Sequence, residues 1–443
     1  MAYTHLTCIT PIDDSVYLER PYAEFLEMQE AMARAVRAQG DWAALLPAER
    51  AVLLHAGLDR LEDQAAQIGE ELVWQTGRPS SRAAGEVRRA VAFGRDLIAR
   101  GKQLLAGEMD AESGHACLHR PRGPTLILPP AEYPLLVSIG PLFGALLAGN
   151  CVILKPSRQA PLVAERYAEA LAVAGMPEWV YQPLNVNRQN VLMMVRDERI
   201  AQVIQIGGPA GAHALRRATA EGKAGFITVD PGWDAAYVAP GADIAFAASA
   251  LSEAAFRNSG QGLGAVKRIL LSPDIQDRFL TVFTEHSLAM VLGDPRAAET
   301  SLGPMIRKEQ AGTSREILID AFDRNARPLI DPRQFPRDRF GSAYCAPQAM
   351  LGMTRAMRIS SEYAPGPLVG IALADGVEAA APYLDGARNL LLFGGDAALA
   401  RDFALAARIG QVRLDRADLP DPVDAELLFA AVSRRVGLDL ERA

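Results

Sequence analysis

Between residues 22 and 107, apolar residues recur every three or four positions, with acidic and arginine residues between them. This spacing places the apolar side chains on one face of an α-helix. Gly40, Pro47 and the Gly77-Arg78-Pro79 string interrupt the pattern, because glycine and proline disfavour the helix interior. The segment is therefore predicted to form several antiparallel helices.

Beyond residue 123, short β-rich apolar runs alternate with helical ones. The runs interpreted as strands are Thr125 to Leu128, Cys151 to Leu154, Ala201 to Ile206 and Gly225 to Val229. Strands that alternate with helices form βαβ units, which predicts a doubly wound parallel sheet. A second alternating series begins near Phe246, so a domain boundary is expected near Pro240-Gly241.

The stretch from Tyr133 to Leu154 has no charged side chain and is long enough for a transmembrane helix. Prolines and glycines interrupt it, so we expect a buried helix followed by a buried strand. The chain has 46 basic and 53 acidic residues, a net charge of −7 and no basic run. Binding to nucleic acid or to a membrane surface is therefore not expected.

The cysteines Cys8, Cys117, Cys151 and Cys345 are too scattered for a disulfide framework, which favours a reduced, cytoplasmic protein. In a strand, His115, Cys117 and His119 would project from one face, as metal ligands could. Short strings of this type often arise without a metal, and no metal site is predicted.

Several strings, in order, resemble the aldehyde dehydrogenase superfamily from about Thr10 to about Asp415. They are AGNCVILKPS at 148–157, FRNSGQ at 256–261, VKR at 266–268, GDP at 293–295, LGPMI at 302–306 and GP at 366–367. The resemblance implies an α/β fold with a Rossmann-like parallel-sheet cofactor domain, a second α/β domain that carries the nucleophile loop, and a small β oligomerisation flap.

The resemblance also implies domain bounds. These are a helical preface at 1–107 that belongs to the cofactor-type domain, a flap at 108–122, the Rossmann-like cofactor-type domain at 123–240, the catalytic-type α/β domain at 241–415, and a divergent tail at 416–443.

Chemistry in this family needs a cysteine thiolate, an asparagine amide that holds the oxyanion, and a glutamate that activates water. The resemblance places Leu263 at the cysteine, Val229 at the glutamate and Glu132 at the asparagine. Leucine cannot form a thiohemiacetal, and an ionised carboxylate donates no hydrogen bond. The catalytic positions are therefore interpreted as degenerate.

Asp230 is a possible substitute for the missing base. Neighbouring side chains in a strand point to opposite faces, so Asp230 could replace Val229 only after a one-residue slip. The alternative interpretation of Asp230 is a turn-forming Asp-Pro pair.

The cofactor positions are partly retained. Lys155 matches the family's lysine. Arg158 replaces an acidic residue that would accept a hydrogen bond from a ribose. The arginine could instead bind a phosphate. Gly207 and Gly208 permit a strand-to-helix turn whose amides can bind an anion. These residues indicate a weak site at which NAD or NADP is possible.

The tail after Leu414 lacks the family's glycine-rich segment, so we expect loss of its final crossing strand and a helix from Ala425 to Val436. Three functions are considered. The favoured hypothesis is a catalytically silent binding or assembly subunit, in a homo-oligomer or in a hetero-oligomer with an active paralogue or pathway enzyme. The alternatives are an NAD(P)-dependent enzyme with altered chemistry through Glu132 or Asp230, and a nucleotide sensor without turnover.

Overall fold

The computed structural model describes residues 4–110, 115–230, 232–418 and 420–439. An antiparallel hairpin that the sequence did not predict comes first, with strands β1 (His5–Ile9) and β2 (Val16–Pro21). The predicted helices follow as α1 (Phe25–Ala44), α2 (Pro47–Asp63), α3 (Ala65–Thr76) and α4 (Ser80–Leu105). Pro47 is the first residue of α2, and Gly77 ends α3 with a φ of 73°. Pro47 and Gly77 therefore act as helix boundaries, as predicted. The prediction is wrong for Gly40, which lies inside α1.

Two short strands, β3 (Glu108–Asp110) and β4 (His115–Pro121), pair antiparallel after α4. The chain then enters a five-stranded sheet in the order β7-β6-β5-β8-β9, in which every pair of neighbours is parallel. Its elements are β5 (Thr125–Leu128), α5 (Pro134–Leu147), β6 (Val152–Leu154), α6 (Leu162–Val173), β7 (Tyr181–Pro183), α7 (Arg188–Arg196), β8 (Gln202–Ile206), α8 (Pro209–Ala220) and β9 (Gly225–Val229).

A seven-stranded sheet follows, in the order β12-β13-β14-β11-β10-β15-β16, and its only antiparallel pair is β12 with β13. Its elements are β10 (Asp234–Val238), α9 (Ile244–Phe256), β11 (Val266–Leu271), α10 (Gln276–Leu288), α11 (Lys308–Asp323), β12 (Arg327–Pro328), β13 (Gln348–Leu351), α12 (Arg358–Ser361), β14 (Leu368–Leu373), α13 (Gly376–Ala380), β15 (Asn389–Phe393), α14 (Ala397–Ala406) and β16 (Gln411–Leu414). The expected α/β fold with two parallel-type sheets and a small β flap is confirmed.

The C-terminal prediction is wrong in part. Helix α15 (Ala425–Val432) ends four residues earlier than expected, and β17 (Ser433–Asp439) follows it. Strand β17 pairs antiparallel with β4 along seven residues, so the final strand is present and completes a three-stranded flap. The open edge of β4 supplies backbone partners for residues 433–439, and local apolar spacing cannot reveal such a distant partner.

The apolar stretch from Tyr133 to Leu154 forms helix α5 and strand β6, as predicted. All side chains of α5 are buried. In the described ranges, no helix combines the length and the apolarity that are needed to cross a membrane.

Asp234 is a buried carboxyl at the start of β10. The Nδ2 amide of Asn389 donates to its Oδ1 at 2.8 Å, whereas Oδ2 has no hydrogen-bond partner in the described part of the chain. Burial raises the pKa of Asp234 to about 6, although the Asn389 contact and the charges of Arg388 and Arg413 oppose this shift.

We expect Asp234 to make unfolding pH-dependent. Because the folded state binds this proton more tightly than the unfolded chain, the free energy of unfolding falls as the pH rises from about 4 to about 6, by about 3 kcal/mol for a shift of two units. Urea unfolding between pH 4 and 7.5 measures this effect. The free energy of unfolding of Asp234→Asn should lack this decrease with pH, whereas the exposed Asp323→Asn control should keep it. Parallel curves for the wild type and Asp234→Asn would contradict the assignment.

Candidate active site

A cleft of about 510 Å³ lies where loops after strands β5, β8 and β9 meet loops of the seven-stranded sheet. Its polar and glycine lining includes Glu132, Gly207, Gly208, Asp230, Gln310 and Tyr363. The cleft therefore contains four of the residues that the sequence singled out, together with two that it did not assign a role.

The position of the cleft follows from the strand order. From β5 the chain continues outward through β6 and β7, whereas β8 and β9 lie on the other side of β5. In doubly wound sheets, ligands bind outside the carboxyl ends of the strands, at the crevice where the order reverses. The β5 loop carries Glu132 and the β8 loop carries Gly207, so both reach this crevice.

Glu132 is half-buried and contacts the side chain of Gln310 on helix α11. The Nε2 amide of Gln310 donates to Glu132 Oε1 at 3.3 Å. Gln310 Oε1 is buried without a hydrogen-bond partner in the ranges that the structure describes. Gln310 is part of the cleft lining and connects Glu132 to helix α11.

Tyr363 supplies a hydrogen-bond donor to the cleft. The backbone N–H of Gly262 donates to Tyr363 Oη at 3.2 Å, so the phenol proton is directed elsewhere. Burial raises the pKa of Tyr363, and the negative charges of Glu132 and Asp230 raise it further. The phenol therefore stays protonated at neutral pH. The sequence analysis assigned no role to Tyr363 and missed this donor.

Asp230 and Val229 lie on different sides of the chain. Asp230 is exposed in the cleft, and the Gly232 N–H donates to its Oδ1 at 2.9 Å. Val229 packs against the core of the five-stranded sheet. Asp230 thus forms the turn predicted as one of its two interpretations, and it lies close enough to Tyr363 to influence the pKa of that phenol.

Leu263 is a core residue. Only 2% of it is exposed, and it belongs to the hydrophobic cluster that packs the five-stranded sheet and its helices. It does not line the cleft. Leu263, which lies between α9 and β11, therefore packs into the core of the five-stranded sheet.

None of the four cysteines lines the cleft either. Burial raises the pKa of the Cys8, Cys151 and Cys345 thiols to about 12, which keeps them protonated. Cys117 lies on β4, where the Nε–H of Arg435 donates to its Sγ at 3.0 Å. His119 exchanges a hydrogen bond with Ser433, and the side chain of His115 lies outside the described residues. Among described residues, no group of three metal-ligand side chains is present.

Lys267, in the VKR string at 266–268, received no role in the sequence analysis, but it holds the loop that carries Leu263. Its Nζ donates to the carbonyl oxygens of Gly260 and Gly366 at 2.5 and 2.6 Å. Burial lowers the pKa of Lys267 to about 7. Since Gly366 follows Tyr363 by three residues, this contact ties the loop to the phenol segment.

The predicted cofactor residues share one edge of the five-stranded sheet. Lys155 and Arg158 follow β6, and Gly207 and Gly208 follow β8. Burial lowers the pKa of Lys155 to about 8, and the nearby positive charges of Arg158 and Arg307 lower it further. A largely buried ammonium surrounded by cations is suited to an anionic ligand.

The glycine turn has room for such a ligand. Gly207 has a φ of 137°, and a Cβ at Gly208 would meet no atom within 4 Å. Gln205 Oε1 and Thr228 Oγ1, on neighbouring strand ends, are buried without partners in the described chain. The glycine turn and these two oxygens, together with the cations Lys155, Arg158 and Arg307, fit a dinucleotide. Its phosphates would lie at the start of α8.

Substitution of Leu263 should measure its role in the core. We expect Leu263→Ala to lower the free energy of unfolding by about 2–4 kcal/mol, because truncation leaves a cavity. The Leu427→Ala control truncates a side chain that is 72% exposed. It should change the free energy of unfolding by less than about 0.5 kcal/mol. Denaturant unfolding measures both, and equal effects would show that Leu263 does not pack the core.

Comparison with known proteins agrees with this architecture. The sequence model described as "Aldehyde dehydrogenase family" matches residues 2–423. An aldehyde dehydrogenase from Paenarthrobacter nicotinovorans is 29% identical over 350 residues, which are 77% of this chain and 75% of that protein. A succinate-semialdehyde dehydrogenase [NADP(+)] from Mycobacterium avium (strain 104) is 28% identical over 442 residues, 96% of this chain and 88% of the relative.

Among solved structures, an NAD-dependent benzaldehyde dehydrogenase from Corynebacterium glutamicum superposes with a TM-score of 0.89 at 23% identity, covering 99% of this chain and 94% of that one. These relatives are named as dehydrogenases, and this chain matches most of their length. The favoured hypothesis of a catalytically silent assembly subunit is therefore wrong. That hypothesis rested on the combined substitutions at the cysteine, glutamate and asparagine positions of the family. With a match from residue 2 to residue 423, this chain belongs to the aldehyde dehydrogenase family.

Proposed function

We propose that this protein is an NAD(P)-dependent oxidoreductase that oxidises aldehydes in their hydrated form, without a covalent thiohemiacetal. One observation carries the proposal: Glu132, Tyr363 and the Gly207–Gly208 turn line the same cleft. The names of the relatives support the reaction class. The absence of a thiol at Leu263 favours a route in which the nucleophilic oxygen comes from water that has already added to the carbonyl.

The balanced reaction converts an aldehyde hydrate, RCH(OH)2, into a carboxylic acid. The C–H bond breaks and its electron pair leaves as hydride. A hydroxyl O–H bond also breaks, its proton goes to Glu132, and its electrons form the new C=O bond. When bound, the nicotinamide cofactor would supply the hydride acceptor.

The residues of the cleft have distinct tasks in this reaction. The Glu132 carboxylate accepts the proton. Tyr363, kept protonated by burial and two carboxylates, donates a hydrogen bond to the second hydrate oxygen. The Nε2 amide of Gln310 donates to Glu132 and holds this carboxylate in place. Asp230 is assigned to the turn rather than to proton transfer, because the Gly232 N–H already occupies its Oδ1.

The cationic group formed by Lys155, Arg158 and Arg307 favours NADP over NAD. The charges that shift the pKa of Lys155 in the described chain are those of Arg158 and Arg307, both positive, which suits a phosphate. Arg158 can donate to a phosphate with two N–H groups at once. The name of the Mycobacterium avium relative includes NADP(+), which supports the same preference.

A cytoplasmic location is part of the proposal. The four cysteines are unpaired in the structure, as is typical of reducing compartments.

Glu132→Gln should lower kcat with NADP and a panel of aldehydes by about 100- to 1000-fold, because the amide cannot accept the proton. The change preserves the size of the side chain, so the unfolding midpoint should move little. The assay follows NADPH absorbance under steady-state conditions.

Asp230→Asn is the matched comparison, and its kcat should stay within about threefold of the wild type. An unchanged rate in Glu132→Gln would exclude Glu132 as the base, and a large loss in Asp230→Asn alone would assign that role to Asp230. Tight NADP binding with no turnover of any aldehyde would favour the sensor interpretation.

Arg158→Glu should reverse the cofactor preference. We expect the Kd for NADP to rise at least tenfold, since the new carboxylate repels a phosphate and can instead accept from a ribose hydroxyl. Titration calorimetry with NADP and NAD measures both affinities. The exposed Arg401→Glu on α14 is the control for the change in net charge, and an equal loss of NADP affinity in it would refute the assignment.

A further inference from the structure

A closed circuit of hydrogen bonds connects Tyr363 to the loop that precedes β11. The backbone N–H of Gly262 donates to Tyr363 Oη at 3.2 Å. Two residues earlier in the same loop, the carbonyl oxygen of Gly260 accepts from Lys267 Nζ at 2.5 Å, and the same Nζ donates to the carbonyl oxygen of Gly366 at 2.6 Å. Since Gly366 follows Tyr363 by three residues, Lys267 closes the circuit. We refer to Lys267 and its two carbonyl acceptors as the lysine bridge.

The two backbone segments that the lysine bridge joins are in direct contact. A Cβ at Gly260 would overlap the carbonyl oxygen of Gly366, and a Cβ at Gly366 would meet Ser314 Oγ at 2.6 Å. Neither position therefore has room for a side chain. Because the segments pack this closely, a displacement of one is transmitted to the other.

The loop on one side of the bridge has an unfavourable backbone. Asn258, Ser259 and Gly260 have φ values of 55°, 54° and 66°, a left-handed run that includes two residues with a Cβ. Such residues keep this conformation only when their surroundings hold them. The hydrogen bond from Lys267 to the Gly260 carbonyl lies at the end of this run and opposes its relaxation.

The same loop forms the wall of the cleft that borders Glu132. A Cβ at Gly262 would lie 3.0 Å from the Cβ of Glu132, and the N–H of Gly262 binds the phenol of Tyr363. Gly262 thus contacts both side chains that transfer or orient protons in the proposed reaction. A movement of this loop would change the distance between them.

The positive charge of Lys267 strengthens the bridge. Lys267 is only 2% exposed, and both acceptors are neutral carbonyl oxygens. Hydrogen bonds from an ionised donor are about twice as strong as those from a neutral one. The ring of Tyr363 adds a cation–π contact, with Nζ 5.6 Å from its centroid. An uncharged amine would keep its N–H groups but lose both contributions.

The charge of Lys267 can change near neutral pH, because burial lowers its pKa to about 7. The loop of residues 258–263 carries no titratable side chain, and Tyr363 is the titratable group of the other bridged segment. On β11 the next residue, Arg268, points to the opposite face of the sheet. On the neighbouring strand β10, the carboxyl of Asp234 is bonded to an amide on β15.

We propose that Lys267 is a positioning residue, whose ammonium holds the 258–263 loop against the 363–366 segment and thereby fixes the phenol of Tyr363 beside Glu132 in the cleft. Loss of the positive charge loosens both segments and releases the phenol. This inference rests on the proposed function for the task of the phenol alone; the bridge itself stands on its geometry.

The position of the phenol can be followed without turnover. The full chain, which has ten tyrosines, is labelled with ¹³C at the tyrosine ζ carbons, and the resonance of Tyr363 is assigned by its absence from Tyr363→Phe. Between pH 6 and 8.5 we expect this resonance to shift in one transition with a midpoint near pH 7, because the bridge weakens as Lys267 loses its proton. The phenol itself stays protonated over this range. A resonance that does not move would overturn the proposal.

A variant assigns the transition to the lysine. In Lys267→Met, the Tyr363 resonance should lie at its high-pH position throughout and show no transition, and circular dichroism confirms that the variant is folded. Lys223→Met, which changes an exposed lysine paired with Glu198, is the matched control and should keep the wild-type transition. The same transition in Lys267→Met as in the wild type would overturn the proposal.

Two carboxylates near the phenol need a control of their own. Glu132 and Asp230 both act on the pKa of Tyr363. In Glu132→Gln and Asp230→Asn the lysine bridge is intact, so the midpoint should remain near pH 7. Loss of the transition in either variant would assign it to that carboxylate and contradict the role of Lys267. This comparison decides the question even if Lys267→Met does not fold.

Turnover separates this inference from the proposed reaction. In Lys267→Met, kcat with NADP and an aldehyde that the wild type oxidises should fall by about 10- to 100-fold, because the phenol is misplaced, whereas the Kd for NADP should stay within about threefold. A lysine-dependent transition without oxidation of any aldehyde would refute the reaction and leave the bridge standing. Oxidation of an aldehyde at an unchanged rate in Lys267→Met would refute the positioning role alone.

Discussion

A buried ion pair between Arg78 and Glu86 contacts the segment that directly follows Glu132 in the chain. Ions removed from water need further hydrogen bonds to offset the loss of hydration. Glu86 obtains them from two N–H groups at the start of α5, where the helix dipole also favours negative charge. Arg78 stacks on the ring of Tyr133, with its Cζ 4.0 Å from the ring centroid. The residue before Tyr133 is Glu132, so this network fixes the direction in which that carboxylate projects.

Tyr133 has a φ of 50°, a conformation that a bulky residue adopts only when its surroundings enforce it. Asn258 and Ser259, on the opposite wall, have φ values of 55° and 54°. Their loop is held by the paired contacts of Asn258 with Gln261 and by the buried Lys267. Both walls of the site are therefore constrained, which suits a site that acts through fixed donors and acceptors.

The family fold has been kept here with a different distribution of chemistry. Leu263 and Val229, which the sequence resemblance places at two reactive positions of the family, pack in or against the core as hydrocarbon side chains. Three ionisable side chains line the cleft of the candidate active site: Glu132, Asp230 and Tyr363. Direct transfer from a hydrate needs a proton acceptor and an oxygen-orienting donor but no thiol. Under the proposed function, the missing thiol at residue 263 removes the covalent step but not every means of oxidising an aldehyde.

The sequence by itself determined the elements whose causes are local. Apolar spacing gave the four helices between Phe25 and Leu105, and Pro47 and Gly77 set two of their boundaries by steric restriction. The β-rich runs gave the parallel strands, and the chemistry of leucine excluded a thiol at residue 263. Only the tertiary structure decided what depends on distant partners. It joined Gln310 to Glu132 across 178 residues, joined Lys267 to Gly366 across 99 residues, and paired β17 with β4 where a helix was expected. Such contacts arise from the packing of whole layers, so burial, pKa shifts and shared cavities cannot be derived from the neighbours of a residue in the chain.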